Sequence, residues 1–256
     1  MRTTCLLLLL SGVAQAALPL QPSGATGRYD LATWKHDWSG CPWEDGVAEG
    51  RIDVIVRGEE KRWRISYAVG QIGPSDGGAA WNQPFAPTEE ITLSYVVRFS
   101  PGFDWVKGGK LPGLGGGEKT TGGRPADGFN GFSVRPMWRA DGKAEAYVYH
   151  AGQKGNYGDS FRLPVDFRLP ADEDITVTLR VKLNHLERAD GQMELTFATK
   201  SSRQSLRRDD LTWRKRADLK ASVLLFETFH GGSDLSWAPR RPCAAEFGQL
   251  RLTPTP

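Results

Sequence analysis

Two neighbouring segments place polar side chains at alternate positions: Phe132-Ser133-Val134-Arg135-Pro136-Met137-Trp138-Arg139, then Lys143-Ala144-Glu145-Ala146-Tyr147-Val148-Tyr149-His150. Side chains alternate across a strand, so Ser133, Arg135, Met137 and Arg139 share one face, and Glu145, Tyr147 and Tyr149 share another. Arginine grips a carboxylate with two parallel hydrogen bonds, and tyrosine stacks on a sugar ring while its hydroxyl donates. A phenol becomes a usable base only where cations stabilise its phenolate. An anionic sugar matches that set of groups. A cross-strand Arg/Tyr ladder on a solvated face uses the same residues, and both readings stand on these residues alone.

The segments must pair with their apolar faces together, because a slip of one residue turns one arm's core residues to solvent. Phe132, Val134, Pro136 and Trp138 form one apolar face; Ala144, Ala146 and Val148 form the other. A two-residue Asp-Gly turn would set Arg135 opposite Val148 and mix the faces. A three-residue loop, Ala140-Asp141-Gly142 with Gly142 left-handed, sets Arg135 opposite Tyr147 and Ser133 opposite Tyr149, and is the register predicted here.

The rest of the chain reads as a series of short strands separated by turn residues. Strands are predicted at 51–56, 63–69, 91–99, 132–138, 144–150, 175–183, 193–198, 223–229 and 247–252, with no long helical period. The prediction is an all-β, single-domain β-sandwich of jelly-roll type. One segment breaks the rhythm: Gly108-Gly109-Lys110-Leu111-Pro112-Gly113-Leu114-Gly115-Gly116-Gly117. It is either a flexible surface loop or backbone brought close to a ligand. Its Gly/Lys spacing excludes a phosphate-binding loop.

Residues 1–16, with an apolar run after Arg2 and Ala14-Gln15-Ala16, read as a secretory signal peptide, leaving 17–256 as the mature domain. That run is too short to anchor in a bilayer, so a secreted or periplasmic protein without a membrane span is expected. Cys41 and Cys243 then remain in an oxidising compartment, and a disulfide between them is predicted. Closing a loop of roughly 200 residues would contribute about 5 kcal/mol in the chain-entropy model. Net charge is +3, from 33 basic and 30 acidic residues, which gives little support to a polyanionic partner such as nucleic acid. The run Arg203, Arg207, Arg208, Arg214, Lys215, Arg216 is broken by Asp209, Asp210 and Asp218, and reads as a solvated loop or short helix.

Ser133-x-Arg135-x-Met137-Trp138-Arg139, the Gly turn and Tyr147-x-Tyr149 resemble the alginate and glucuronan lyases of polysaccharide lyase family 14. Gly109-Lys110-Leu111-Pro112-Gly113 upstream and Thr228-Phe229-His230-Gly231-Gly232-Ser233 to Trp237-Ala238-Pro239 downstream extend the resemblance over about residues 90–252. It implies a jelly roll and metal-free cleavage of a uronic-acid polymer by β-elimination, with no cofactor. Carried over by position, Lys110 and Arg135 are the essential cations, Tyr147 and Tyr149 the proton-transfer pair, and Ser133 a polar partner. Arg139, Phe229 and Trp237 are further substrate-binding candidates. Pro136 removes a ladder donor from its strand, and His150 and His230 carry no assigned role.

The expected partner is an acidic polysaccharide, acted on by a monomer. A non-catalytic carbohydrate-binding protein on the same scaffold is the alternative, since fold does not fix function. A glycoside hydrolase needs two carboxylates flanking the bond, and Glu145 and Glu227 are isolated in sequence. His36, His150, His185 and His230 lack zinc-ligand spacing.

Overall fold

A computed structural model describes residues 21–255 except Val165; the predicted signal peptide, residues 1–16, lies outside the described residues. In chain order the strands are β1 (Gly27–Arg28), β2 (Ile52–Arg57), β3 (Glu60–Tyr67), β4 (Ala79–Thr88), β5 (Glu90–Phe99), β6 (Gly108–Lys110), β7 (Gly113–Gly117) and β8 (Gly131–Arg139). They continue as β9 (Ala144–Tyr149), β10 (Asp159–Arg162), β11 (Ile175–Lys182), β12 (Gly191–Ala198), β13 (Arg203–Leu211), β14 (Ala221–His230) and β15 (Cys243–Pro254). Helices α1 (Leu31–Asp37) and α2 (Gly73–Gly77) are short.

The strands form two antiparallel sheets, ordered β1-β2-β3-β15-β5-β11-β12-β13 and β10-β9-β8-β6-β14-β4, with β7 also joining β8 to β14. The sheets pack face to face as the predicted sandwich. Alternation explains the eight-stranded sheet: in β11, Ile175, Val177, Leu179 and Val181 are buried while the residues between them are not. The inner faces meet over an aromatic centre in which Trp81 stacks on Phe226 at 4.2 Å between ring centroids and Trp38 packs on Trp81 at 5.1 Å. Aromatic pairs of this kind add about 1 kcal/mol each beyond the area they bury.

Three expectations need correction. Cys41 and Cys243 are free thiols. Cys243 opens β15 opposite Tyr67, whose hydroxyl bonds Thr228, the partner of Ala79 in β4. Cys41 instead donates to Gln83 at 3.3 Å, and Gln83 lies four residues, or about 13 Å, further along the strand. A disulfide holds its Cα atoms within about 7 Å. Secondly, the arginine-rich run is strand β13 for its first nine residues. Residues i and i+2 share a strand face, so Asp209 and Asp210 pair with Arg207 and Arg208 at 2.8 and 2.5 Å. Arg214 is buried against Asn184 and paired with Glu89 at 2.6 Å. Thirdly, the glycine-rich segment is not a surface loop but strands β6 and β7, inserted between β8 and β14.

The glycines allow that insertion. A Cβ on Gly109 would stand 2.0 Å from the Trp138 ring, and one on Gly113 2.1 Å from the Val134 carbonyl oxygen. The close approach is to the chain's own sheet. Pro136 falls opposite the break between the two strands, where its carbonyl still accepts from Leu111 at 3.0 Å, so its missing N–H costs the ladder little.

Candidate active site

The β8–β9 hairpin has the predicted register: Arg135 pairs with Tyr147 and Ser133 with Tyr149, across the loop Ala140–Gly142. Gly142 is left-handed, with φ of 73°. Lys110 completes the row, paired with Met137 on one side and Phe229 on the other. Two adjoining cavities open over this face. One, of about 530 Å³, is lined by Lys110, Met137, Arg139, Tyr147, Tyr149, Tyr157, Phe229 and Trp237, among others. The other, of about 380 Å³, is lined by Trp43, Lys119, Arg135 and Glu227, and meets the first at Lys110, Gly122 and Phe229. Helix α2 and the segments around Gly122 and Gly232 form the rims.

Lys110 stands where the cavities join, its Nζ 5.9 Å from the Tyr147 ring centre and 5.2 Å from that of Phe229. Burial, and then the Arg135 cation beside it, lower the Lys110 pKa to about 7. Tyr147 is partly exposed in the cleft. Burial and the neighbouring Tyr149 phenol, whose ring meets it edge-on at 5.5 Å, hold its pKa above the ordinary phenol value. Its phenolate is therefore disfavoured and its neutral, proton-donating form favoured.

Arg135 and Tyr149 depart from the sequence picture of an open polar face, being 1% and 0% exposed. Arg135 donates through Nη1 to Glu227 at 2.5 Å, while its Nε and Nη2 are buried with no partner among the described residues. Burial pushes the Glu227 carboxyl up, but the Arg135 and Lys110 cations outweigh it and keep the carboxyl below its usual range. Ser133 donates to the Thr120 carbonyl at 2.7 Å, and Gly123 N–H reaches the Tyr149 hydroxyl at 3.4 Å. The segment 120–123 thus covers the inner half of the polar face.

Glu145 and Glu227 are not isolated, as their sequence neighbours suggest, but neutralise Arg139 and Arg135, each at 2.5 Å. Neither is an unpaired acid available for hydrolysis. Arg139, Phe229 and Trp237 line the cleft; Lys107 and Arg139 lie over the Trp237 ring at 5.9 and 5.6 Å. His230 and His150 lie beneath or beside the site: His230 is fully buried with Nε2 2.7 Å from the Asp104 carbonyl, and His150 pairs with Asp159 at 2.9 Å. Three contributors escape sequence reasoning: Glu227, Tyr157, and Lys119, which lies 5.7 Å from the Trp43 ring centre. Glu227 shares its strand face with Phe229, a period-two signal that the apolar run around it conceals.

A sandwich with a cationic, tyrosine-lined cleft along one sheet defines a carbohydrate-active protein. The polysaccharide lyase 14 family model matches residues 57–250. The chain belongs to that family and is a polysaccharide lyase. It is similar to the PL-14 alginate lyase of Aplysia kurodai, with a TM-score of 0.79 and 24% identity over 90% of this chain and 100% of that one. The alginate lyase Aly36B gives a TM-score of 0.79 and 25% identity over 93% and 96% of the two chains. Aly36B has also been solved as a lysine/tyrosine double alanine variant with an alginate tetrasaccharide. More distant is the endo-β-1,4-glucuronan lyase of the fungus Trichoderma reesei, with a TM-score of 0.55 and 10% identity over 90% and 95%. No curated protein matches the chain.

Proposed function

We propose that this enzyme cleaves a uronic-acid polymer of the alginate type by metal-independent β-elimination, with Lys110 as the base. The observation that carries this reading is a lysine, held near pKa 7 by burial and by Arg135, at the junction of an open cationic cleft. Neutral Lys110 takes the proton from C5 of the uronate. The electron pair left on C5 delocalises into the carboxylate, then forms the C4=C5 double bond as the C4–O4 bond breaks. The departing oxygen receives a proton from the Tyr147 hydroxyl or from the Lys110 ammonium just formed. Arg135 supplies fixed positive charge from beneath the cleft floor, worth more there than in water. Buried Tyr149 holds the Tyr147 ring edge-on.

The role differs from that of a lysine that only neutralises the carboxylate, and one substitution separates the two. Lys110→Arg keeps the charge but cannot deprotonate in the working range. It is expected to lower kcat on alginate by about a hundredfold or more, as for loss of a positioned proton-transfer group. Near-normal turnover in this variant would leave Lys110 an electrostatic role only. In the wild type kcat/KM should rise with pH through about 7 as Lys110 loses its proton. The limb in kcat should lie higher, because a bound carboxylate favours the ammonium. The assay is ultraviolet absorbance of the unsaturated chain end on a panel of alginate, glucuronan and other uronans, and turnover should survive EDTA.

A further inference from the structure

Beyond Arg139 the cleft floor continues into a third cavity, of about 490 Å³, built from three separate pieces of chain at one end of the seven-stranded sheet. Lys107 precedes β6, Arg139 and Lys143 flank the hairpin loop, and Arg162 closes β10. Glu145 forms its base. That carboxylate is 1% exposed and already satisfied by Arg139 at 2.5 Å and Ser160 at 2.9 Å, with the Arg162 Nε at 4.0 Å. Four cations against one carboxylate leave the cavity with a net charge of +3. Lys143 has no carboxylate partner among the described residues, and the side chain of Arg162 is 82% exposed. This concentration of like charge costs self-repulsion unless an anion offsets it.

Arg139 belongs to this cavity and to the cleft alike, and Trp237, under both Lys107 and Arg139, borders the passage between them. Lys110, Met137, Glu145 and Arg162 lie in register on four neighbouring strands, which puts Arg162 about 14 Å from Lys110 across the sheet, longer than one sugar ring. A polymer lying across Lys110 therefore reaches the cavity only with units beyond those at the scissile bond.

We propose that this cavity is a distal subsite that grips the carboxylates of the same acidic polysaccharide, with Lys143 and Arg162 as its outer contacts, so that long chains are held more tightly than short ones. The proposal rests on the uronan reading of the cleft. Its test is Lys143→Ala combined with Arg162→Ala, two exposed positions away from Lys110 and Tyr147. Affinity is read first without turnover, as retardation in native gels cast with alginate, every protein in the gel carrying Lys110→Ala to remove the base. The double variant should bind alginate polymer about tenfold more weakly, the scale of losing two solvent-exposed charge contacts, and Lys143→Arg should bind like the wild type. Kinetically, KM for polymer should rise about tenfold with kcat unchanged, while kcat/KM for a trisaccharide stays constant. High salt should erase the difference between the proteins. Equal retardation of variant and wild type, or equal losses on polymer and trisaccharide, would overturn the subsite. If the wild type is retarded but cleaves no uronan, the reaction assigned to the cleft fails while the gel still decides the subsite.

Discussion

At the scale of single residues, Arg135 and Glu227 couple chemistry to stability. Both are almost fully buried and joined at 2.5 Å. Removing one partner of a buried pair leaves the other charge uncompensated, typically at a cost of about 3–5 kcal/mol. Arg135→Ala is therefore expected to lower the midpoint of urea unfolding sharply as well as activity. Adding Glu227→Gln should recover most of the stability and none of the activity, because Lys110 has then lost its cationic neighbour. Recovery of both would show that Arg135 is only scaffolding. That Lys110, Arg135, Tyr147 and Tyr149 gather on one sheet was legible from alternation and resemblance. The burial of Arg135 and Tyr149 was not; Tyr149 is covered by segment 120–123, which folds over it and Ser133, a contact that no local pattern encodes.

At the scale of elements, legibility followed periodicity. All nine predicted strands are present, including the β8–β9 register, because a buried apolar face permits only one pairing. Strands without that signal went unread. β4 carries two prolines at the sheet edge, β13 is mostly charged and polar, and β6 and β7 are mostly glycine, which has low strand propensity. The glycines are there for contact distance, and this can be measured. Gly109→Ala would place a methyl group 2.0 Å from the Trp138 ring and 2.4 Å from the Phe229 carbonyl oxygen. Overpacking of this severity is expected to cost about 3 kcal/mol and to shift Lys110, so kcat should fall even in the fraction that calorimetry shows to be folded. Gly155→Ala, whose nearest contact is 4.0 Å away, is the control, expected within about 0.5 kcal/mol of wild type.

At the scale of the whole molecule, the core sets an acid limit. His230 is buried among Tyr67, Phe103 and Trp138, and burial lowers its pKa to about 4. The unfolded chain takes up that proton near pH 6.5, the folded chain only near 4, so stability is full above about 6.5 and declines as pH falls between those values. The loss should reach about 3 kcal/mol. Below it a second loss begins, because Arg240 holds the Asp104 carboxyl at about 2 and protonation dissolves that pair. Urea titrations at pH 7, 5 and 4 measure the first step; an unchanged free energy across them would mean that His230 is already charged in the fold. None of this is visible in the sequence, where His230 has only Phe229 and Gly231 for neighbours.

The chain also carries its own light source. Of nine tryptophans, six are buried, and two of the remaining three, Trp43 and Trp237, stand under lysines at opposite ends of the cleft. A sugar chain laid across Lys110 would change the surroundings of these two indoles and leave the buried six untouched. Occupancy of the cleft is thus written into the protein's intrinsic emission, and binding can be followed without a label.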